Sequence, residues 1–237
     1  MGLIFVAPQS SSSSQSDRHT RCRARQGRPV DRLTGVDSSL AASLLLEQGL
    51  KVTGITLEFL PPGPWKGQEA EDARLAAESI GIEHQVWDIA AAFQRLVMEP
   101  FEVAYRQGRT PNPCVECNKV IKFGLVLERA QAAGFTSMAT GHYARITTSQ
   151  NAFHLLRGID PVKDQSYFLY RIGRECLPHV LFPLGGLTKE EVRRRAEAVD
   201  LHSAGKEESQ DICFLQGQDY RHSLWAEDSS AGRIVDC

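Results

Sequence analysis

The chain has 237 residues, 42% of them hydrophobic and 24% charged, with a net charge of −2. That is length enough to bury a substantial core; the balance gives no global attraction to nucleic acid, although local Arg and Lys clusters act independently of the sum. No run of about 18 apolar residues is present to span a membrane, so no membrane partner is expected.

Residues 1–32 stand apart in composition. "SSSSQS" is followed by Arg18, Arg21, Arg23, Arg25, Arg28 and Arg32, with Asp17 and Asp31 the only acids. Ser-rich, Arg-rich and acid-poor is the make-up of an organellar transit peptide, so a disordered or targeting segment is expected. "MGLIFV" lacks the Ser or Thr that a myristoylation site carries at position six. A cytoplasmic protein is expected if the source is bacterial, a mitochondrial or plastid one if the segment targets.

From Gly35 on, helical and strand-like segments alternate. "SSLAASLLLEQG" is a helix closed by Gly49, and "KVTGITLEFL" a buried strand ended by "PPGP". "EAEDARLAAESIG" is a helix, "IEHQVWDI" a strand and "AAFQRLVMEPFEVAYRQG" a helix. "CNKVIKFGLVLERAQAAG" is helical through its second half, and "FTSMATGHYARI" is a strand running into a turn. This rhythm predicts a parallel sheet with helices on both faces. Beyond residue 150, "FHLLRGIDPVKDQSYFLYRI" reads as a β-hairpin. "LTKEEVRRRAEAVDL" is a helix capped by Thr188 with Glu191 three residues on, and "EESQDICFL" is loop then strand.

In parallel sheets ligands bind beyond the carboxyl ends of the strands, and the loops predicted there contain "TGVDSS", "TLEF", "TPNPCVECN" and "TGHYAR". "TGVDSS" opens a helix, where backbone amides and the helix dipole favour an anion. Ser38 and Ser39 can donate to phosphate oxygens and Asp37 can hold a metal ion on them. It is no Walker loop, which carries a Lys after its last Gly. An ordinary Asp/Ser helix cap is the plainer alternative.

Six cysteines (Cys22, Cys114, Cys117, Cys176, Cys213 and Cys237) are too scattered for a secreted disulfide framework and point to a reducing compartment with one or two working thiols. Cys114 and Cys117 form a C-x-x-C pair, yet no second such pair or clustered His pair completes a zinc site.

"GVDSS" resembles the end of the S-G-G-V-D-S-S loop of the PP-loop ATP pyrophosphatases. "TPNPCVECNKVIKFG", "ATGHYAR", "DPVKDQSYFL", "FPLGGLTKEEVR" and "ESQDICF" resemble, in order, the blocks of one branch, the tRNA-specific 2-thiouridylases. The resemblance runs from about Gly35 to Phe214. It implies a PP-loop nucleotide-binding and catalytic domain over 33–213 and the start of a small central domain over 214–237. The tRNA-gripping C-terminal β-barrel of the family would lie beyond the end of this piece. It also implies ATP-dependent transfer of sulfur to C2 of the wobble uridine of tRNA, through an adenylated intermediate and a cysteine persulfide. ATP with Mg2+ and a persulfide donor protein are then required.

Residue by residue, Cys117 matches the family's nucleophile, which a helix start would favour as thiolate; Cys213 matches its persulfide carrier, on a loop able to swing in. Gly35, Val36, Asp37, Ser38, Ser39, Leu57 and Gly141 match the ATP-binding positions. Asn112, Pro113, Cys114, His142, Lys163, Asp164 and Gln165 match positions that contact tRNA. No resident metal site is expected, although an iron–sulfur cluster on Cys114, Cys117 and Cys213 is an alternative way to carry sulfur. Leu33 and Thr34 stand where the family has Ser and Gly, and "RPVDRLT" makes a poor buried strand before them. A misjoined gene or a damaged nucleotide site follows, and the alternatives are an inactive tRNA-binding remnant or another PP-loop adenylating enzyme.

Overall fold

The computed structural model describes residues 2–8, 36–60, 68–198 and 212–215. Gly35, Leu33, Thr34, Cys22, Cys237 and most of the expected central domain therefore lie outside the described residues. Within them an α/β fold stands as expected. Five strands form one sheet in the order β3-β2-β1-β4-β7. They are β1 (Gly2–Val6), β2 (Val52–Glu58), β3 (Glu83–Asp88), β4 (Ser137–Ala139) and β7 (Val180–Leu181).

The central strand corrects the expectation for the N-terminus. Residues 1–32 are not disordered throughout, because Gly2–Val6 fills the slot between β2 and β4, with Leu3, Ile4, Phe5 and Val6 all buried. An unbroken apolar run is what a strand covered on both faces requires. Period-two alternation then divides it. Leu3 and Phe5 join one core with Leu57, Trp87, Phe93, Ile121, Val126 and Met138. Ile4 and Val6 join the other with Leu40, Leu45, Ala139, Leu184 and Val192. This strand is also the exception to the expected parallel order. It runs antiparallel to both β2 and β4, whereas β2 with β3 and β4 with β7 are parallel.

Helices cover both faces. On one side α1 (Val36–Glu47) packs with α7 (Lys189–Ala198), and α2 (Gln68–Ile80) lies beside α1. On the other lie two long helical runs, each interrupted by π-helical turns. The first comprises α3 (Ala90–Phe93), turns over Gln94–Met98 and α4 (Glu99–Arg106). The second comprises α5 (Pro113–Glu116), turns over Cys117–Val126 and α6 (Leu127–Ala132). The expected glycine stops are present, with φ of +76° at both Gly49 and Gly81.

Three further expectations are corrected. The hairpin is formed by β5 (Ala144–Ser149) and β6 (Ala152–Arg157), not by the segment after Phe153 alone. Its turn places Gln150 and Asn151 at positive φ without a glycine to announce it. Cys213–Leu215 is a turn rather than a strand. The helix after the C-x-x-C pair begins at Pro113, so both cysteines are helical.

Candidate active site

The site is built around the first turn of α1 and the N-terminal half of the Pro113–Ala132 helix. Asp37 is the second residue of α1, followed by Ser38 and Ser39. Gly141, in the loop after β4, lies flat against that turn. A Cβ there would sit 3.0 Å from the Asp37 Cβ, 3.1 Å from its carbonyl carbon and 3.3 Å from the Ser38 nitrogen. A side chain there would crowd the turn, and glycine lets the two backbones approach without a shift. Val36 and Leu57 put their side chains into the two cores beneath.

Two residues that sequence reasoning did not single out hold Asp37. Lys189 Nζ donates to Asp37 Oδ1 at 2.8 Å, and the Tyr143 hydroxyl donates to the same oxygen at 3.1 Å. Lys189 is 8% exposed and Tyr143 2%. The lysine is fixed at its other end too, since its amide donates to the Asp160 carboxylate at 2.9 Å. A lysine 152 positions downstream carries no sequence signal of this partnership beyond its place at the start of a capped helix.

The cysteine helix begins as its sequence dictates. Asn112 Oδ1 accepts from the amides of Cys114 and Val115 at 3.1 and 3.2 Å, and Pro113 occupies the first helical position, where its missing N–H costs nothing. Cys117 is consequently a full turn inside, buried at 7% exposure. The expectation that a helix terminus favours its thiolate is corrected, for burial pushes this thiol up and the dipole's influence fades beyond the first turn. Lys122, one π-turn further on, pulls the other way.

Cys213 comes to the same place from nearly 100 residues away in sequence. Phe214 beside it packs edge-on between Phe93 and Phe101, with ring centroids 5.9 and 5.2 Å apart. Desolvation, then the neighbouring Cys117 and Cys114, push the Cys213 thiol up to about 11, with Lys122 opposing. Cys114 is also raised by burial and eased by Lys122. The three thiols thus share one electrostatic neighbourhood with Lys122, and all three are free. Lys122 is a third residue that the sequence reading passed over. Among the described residues no three His, Cys, Asp or Glu side chains are placed to hold a metal ion. The three thiols as they stand do not fit an iron–sulfur cluster. Cys176 lies apart, its thiol donating to the Phe123 carbonyl at 3.2 Å.

The other matched residues make internal contacts. His142 shares a hydrogen bond with the Thr140 hydroxyl at 2.7 Å and packs near Phe123 and Phe182. Burial first, then Lys122, hold its imidazole neutral, well below the ordinary range. Asp164 is no solvated charge: it accepts from Gly158, Ser166 and Arg157. Gln165 Oε1 accepts from the Tyr143 amide, tying this segment to the loop that carries Gly141. Beside them Tyr167 and Tyr170 are 64% and 65% exposed, with centroids 6.1 Å apart. Asn118 Nδ2 donates to the Phe168 carbonyl, and Arg171 pairs with Glu116, so this tyrosine segment is fastened to the cysteine helix.

The family model described as tRNA methyl transferase HUP domain matches residues 33–217. The tRNA-specific 2-thiouridylase MnmA of Geobacter metallireducens is 45% identical over 226 residues, covering 90% of this chain and 61% of that protein. Its counterpart in Treponema denticola is 45% identical over 213 residues, covering 85% and 58%. That of Syntrophomonas wolfei is 47% identical over 192 residues, covering 80% and 55%. The chain spans about three fifths of the length of the curated relatives it matches.

Proposed function

The chain belongs to the tRNA methyl transferase HUP-domain family, and from that membership we propose that it carries the catalytic domain of a tRNA-uridine 2-sulfurtransferase. The observation that carries this reading is that Phe214, beside Cys213, packs onto the same core as Cys117, so the two thiols lie within electrostatic reach of each other and of Lys122. Nearby, a loop glycine packs onto a helix N-terminus bearing Asp37, Ser38 and Ser39.

ATP would lie with its phosphates at the first turn of α1, and Asp37 would be the residue to hold Mg2+. The magnesium ion supplies charge neutralisation for the polyphosphate. The uridine would leave its stack to enter beside Asn112, Pro113 and Cys114, which a single-stranded loop permits at low cost. Its C2 oxygen attacks the α-phosphorus of ATP and pyrophosphate departs. A persulfide on Cys213, loaded by a donor protein, then attacks C2 through its terminal sulfur, and AMP leaves. Cys117, as thiolate, attacks the Cys213 sulfur. The S–S bond to the transferred sulfur breaks, that sulfur stays on the uridine, and a Cys117–Cys213 disulfide remains for cellular thiols to reduce. Lys122 offsets the charge of the attacking thiolate in a site that otherwise opposes it.

The test loads Cys213 with a persulfide and follows 2-thiouridine in a single turnover with ATP and tRNA. Cys213→Ser is expected to take up no sulfane sulfur, and Cys117→Ser to load but not deliver. Cys114→Ser is expected to keep most activity. Equal inactivity of Cys114→Ser, with iron bound by the unaltered protein alone, would replace the persulfide scheme by a cluster. Leu33 and Thr34 in place of Ser and Gly favour one second reading, a tRNA-binding remnant. Absence of ATP–pyrophosphate exchange in the unaltered chain would select it.

A further inference from the structure

We propose that Lys189 is the phosphate-binding cation of the α1 site, kept in readiness by Asp37 and released to a polyphosphate oxygen when nucleotide binds. The inference rests on the nucleotide reading above and adds to it a residue and a function for a buried ion pair.

A lysine is seldom buried unless something holds its charge. Here the ammonium meets Asp37 Oδ1 at 2.8 Å, and the lysine and aspartate side chains are 10% and 29% exposed. Withdrawing two such charges from water is costly, and a pair of this kind is weak evidence for stability. Its placement is more informative. Asp37 sits in the first turn of a helix whose N-terminus would otherwise attract an anion, and a lone carboxylate there would repel phosphate. Lys189 cancels that charge.

The ammonium is also positioned rather than roaming. The Lys189 amide is anchored on Asp160, which also accepts from the amides of Val162 and Lys163. The stem passes the Tyr143 ring, with Nζ 5.7 Å from its centroid. α7 packs on α1, so the cation reaches the first turn of α1 from a neighbouring helix. The P-loop of other nucleotide-binding folds carries its lysine within the loop. "TGVDSS" has none, and this fold supplies one from the neighbouring helix on the same face of the sheet. Were Asp37 to hold a metal ion, the ammonium would be free to take a phosphate oxygen in exchange.

Calorimetry with pyrophosphate in the absence of magnesium, with MgATP and with adenosine separates the roles. In the full chain, Lys189→Met is expected to weaken pyrophosphate and MgATP at least tenfold and to leave adenosine within twofold; Lys189→Arg should retain most of the affinity. The double variant Asp37→Asn, Lys189→Met removes both charges together and guards against a single variant that fails to fold. Its pyrophosphate binding should stay weak. Recovery in the double variant would mean that Lys189 merely neutralises Asp37, and would overturn the proposal. So would Lys189→Met binding pyrophosphate as the unaltered chain does. If the unaltered chain binds adenosine, pyrophosphate and MgATP not at all, the nucleotide reading itself falls, and this proposal with it.

Discussion

His142 and Cys213 are the residues whose chemistry the fold alters most. Burial among aromatic rings keeps His142 neutral, so its folded-state proton affinity is depressed. An unfolded chain binds a proton there below the ordinary histidine value of about 6.5 while the folded chain does not. Stability is therefore full above that pH and is lost as pH falls, with a slope of up to about 1.4 kcal/mol per pH unit from this residue. Urea unfolding between pH 7 and 5 is expected to show the decline, and His142→Gln to flatten it. Cys213 is opposite in sign. Its side chain is exposed, yet desolvation and the neighbouring thiols push its thiol up to about 11, so alkylation by iodoacetamide should be slow at pH 8 and keep rising towards higher pH. Cys117→Ser should shift that profile down, because one of the groups that raise it is gone; an unchanged profile would separate the two sulfurs.

At the scale of elements, β1 and the tyrosine segment bear the consequences. Phe5 is fully buried and stacks 5.6 Å from Trp87. Phe5→Ala is expected to cost about 3–5 kcal/mol, as truncations of buried aromatics do, and chemical denaturation would measure it. A cost below 1 kcal/mol would remove β1 from the core. The 310 segment Ser166–Leu169 and Tyr170 after it present two exposed rings near α5, where the proposed reading admits the base. A base stacked on an aromatic ring contributes about 1–3 kcal/mol. Tyr167→Ala and Tyr170→Ala should therefore each weaken binding of an anticodon stem-loop while leaving the melting temperature unchanged. The capping box at α7 was legible beforehand: Thr188 and Glu191 exchange the expected bonds, at 2.7 and 3.2 Å. The β5–β6 turn was not, because Gln150 and Asn151 adopt left-handed backbone without the glycine that signals it.

For the whole molecule, a net charge of −2 over 237 residues leaves tRNA affinity to local contacts. Binding of tRNA by this chain is expected to be weak at physiological salt and to fall further as salt rises, since it depends on few phosphate contacts. A gel-shift series in salt checks it, and tight, salt-insensitive binding would refute it. The placement of β1 also bears on targeting: removal of a leader ending anywhere between residues 9 and 32 would take the central strand with it.

What the sequence determined by itself was local or compositional. Helix starts at Asn112 and Thr188, stops at Gly49 and Gly81, and the α/β rhythm follow from capping chemistry and hydrophobic period, which act within a few residues. The cysteines and the helix-opening "GVDSS" were visible as chemistry without a geometry. Tertiary structure decided the rest. It directed a strand from the chain's start into the middle of the sheet and against its neighbours' direction, because an apolar run of five residues names no partner and no polarity. It drew Lys189 to Asp37 and Cys213 towards Cys117 and Lys122, because groups separated by many residues declare their pairing only when the fold brings them together. And it raised the Cys117 thiol that a helix start was expected to lower, because desolvation depends on what packs above a residue, and that is written in other parts of the chain.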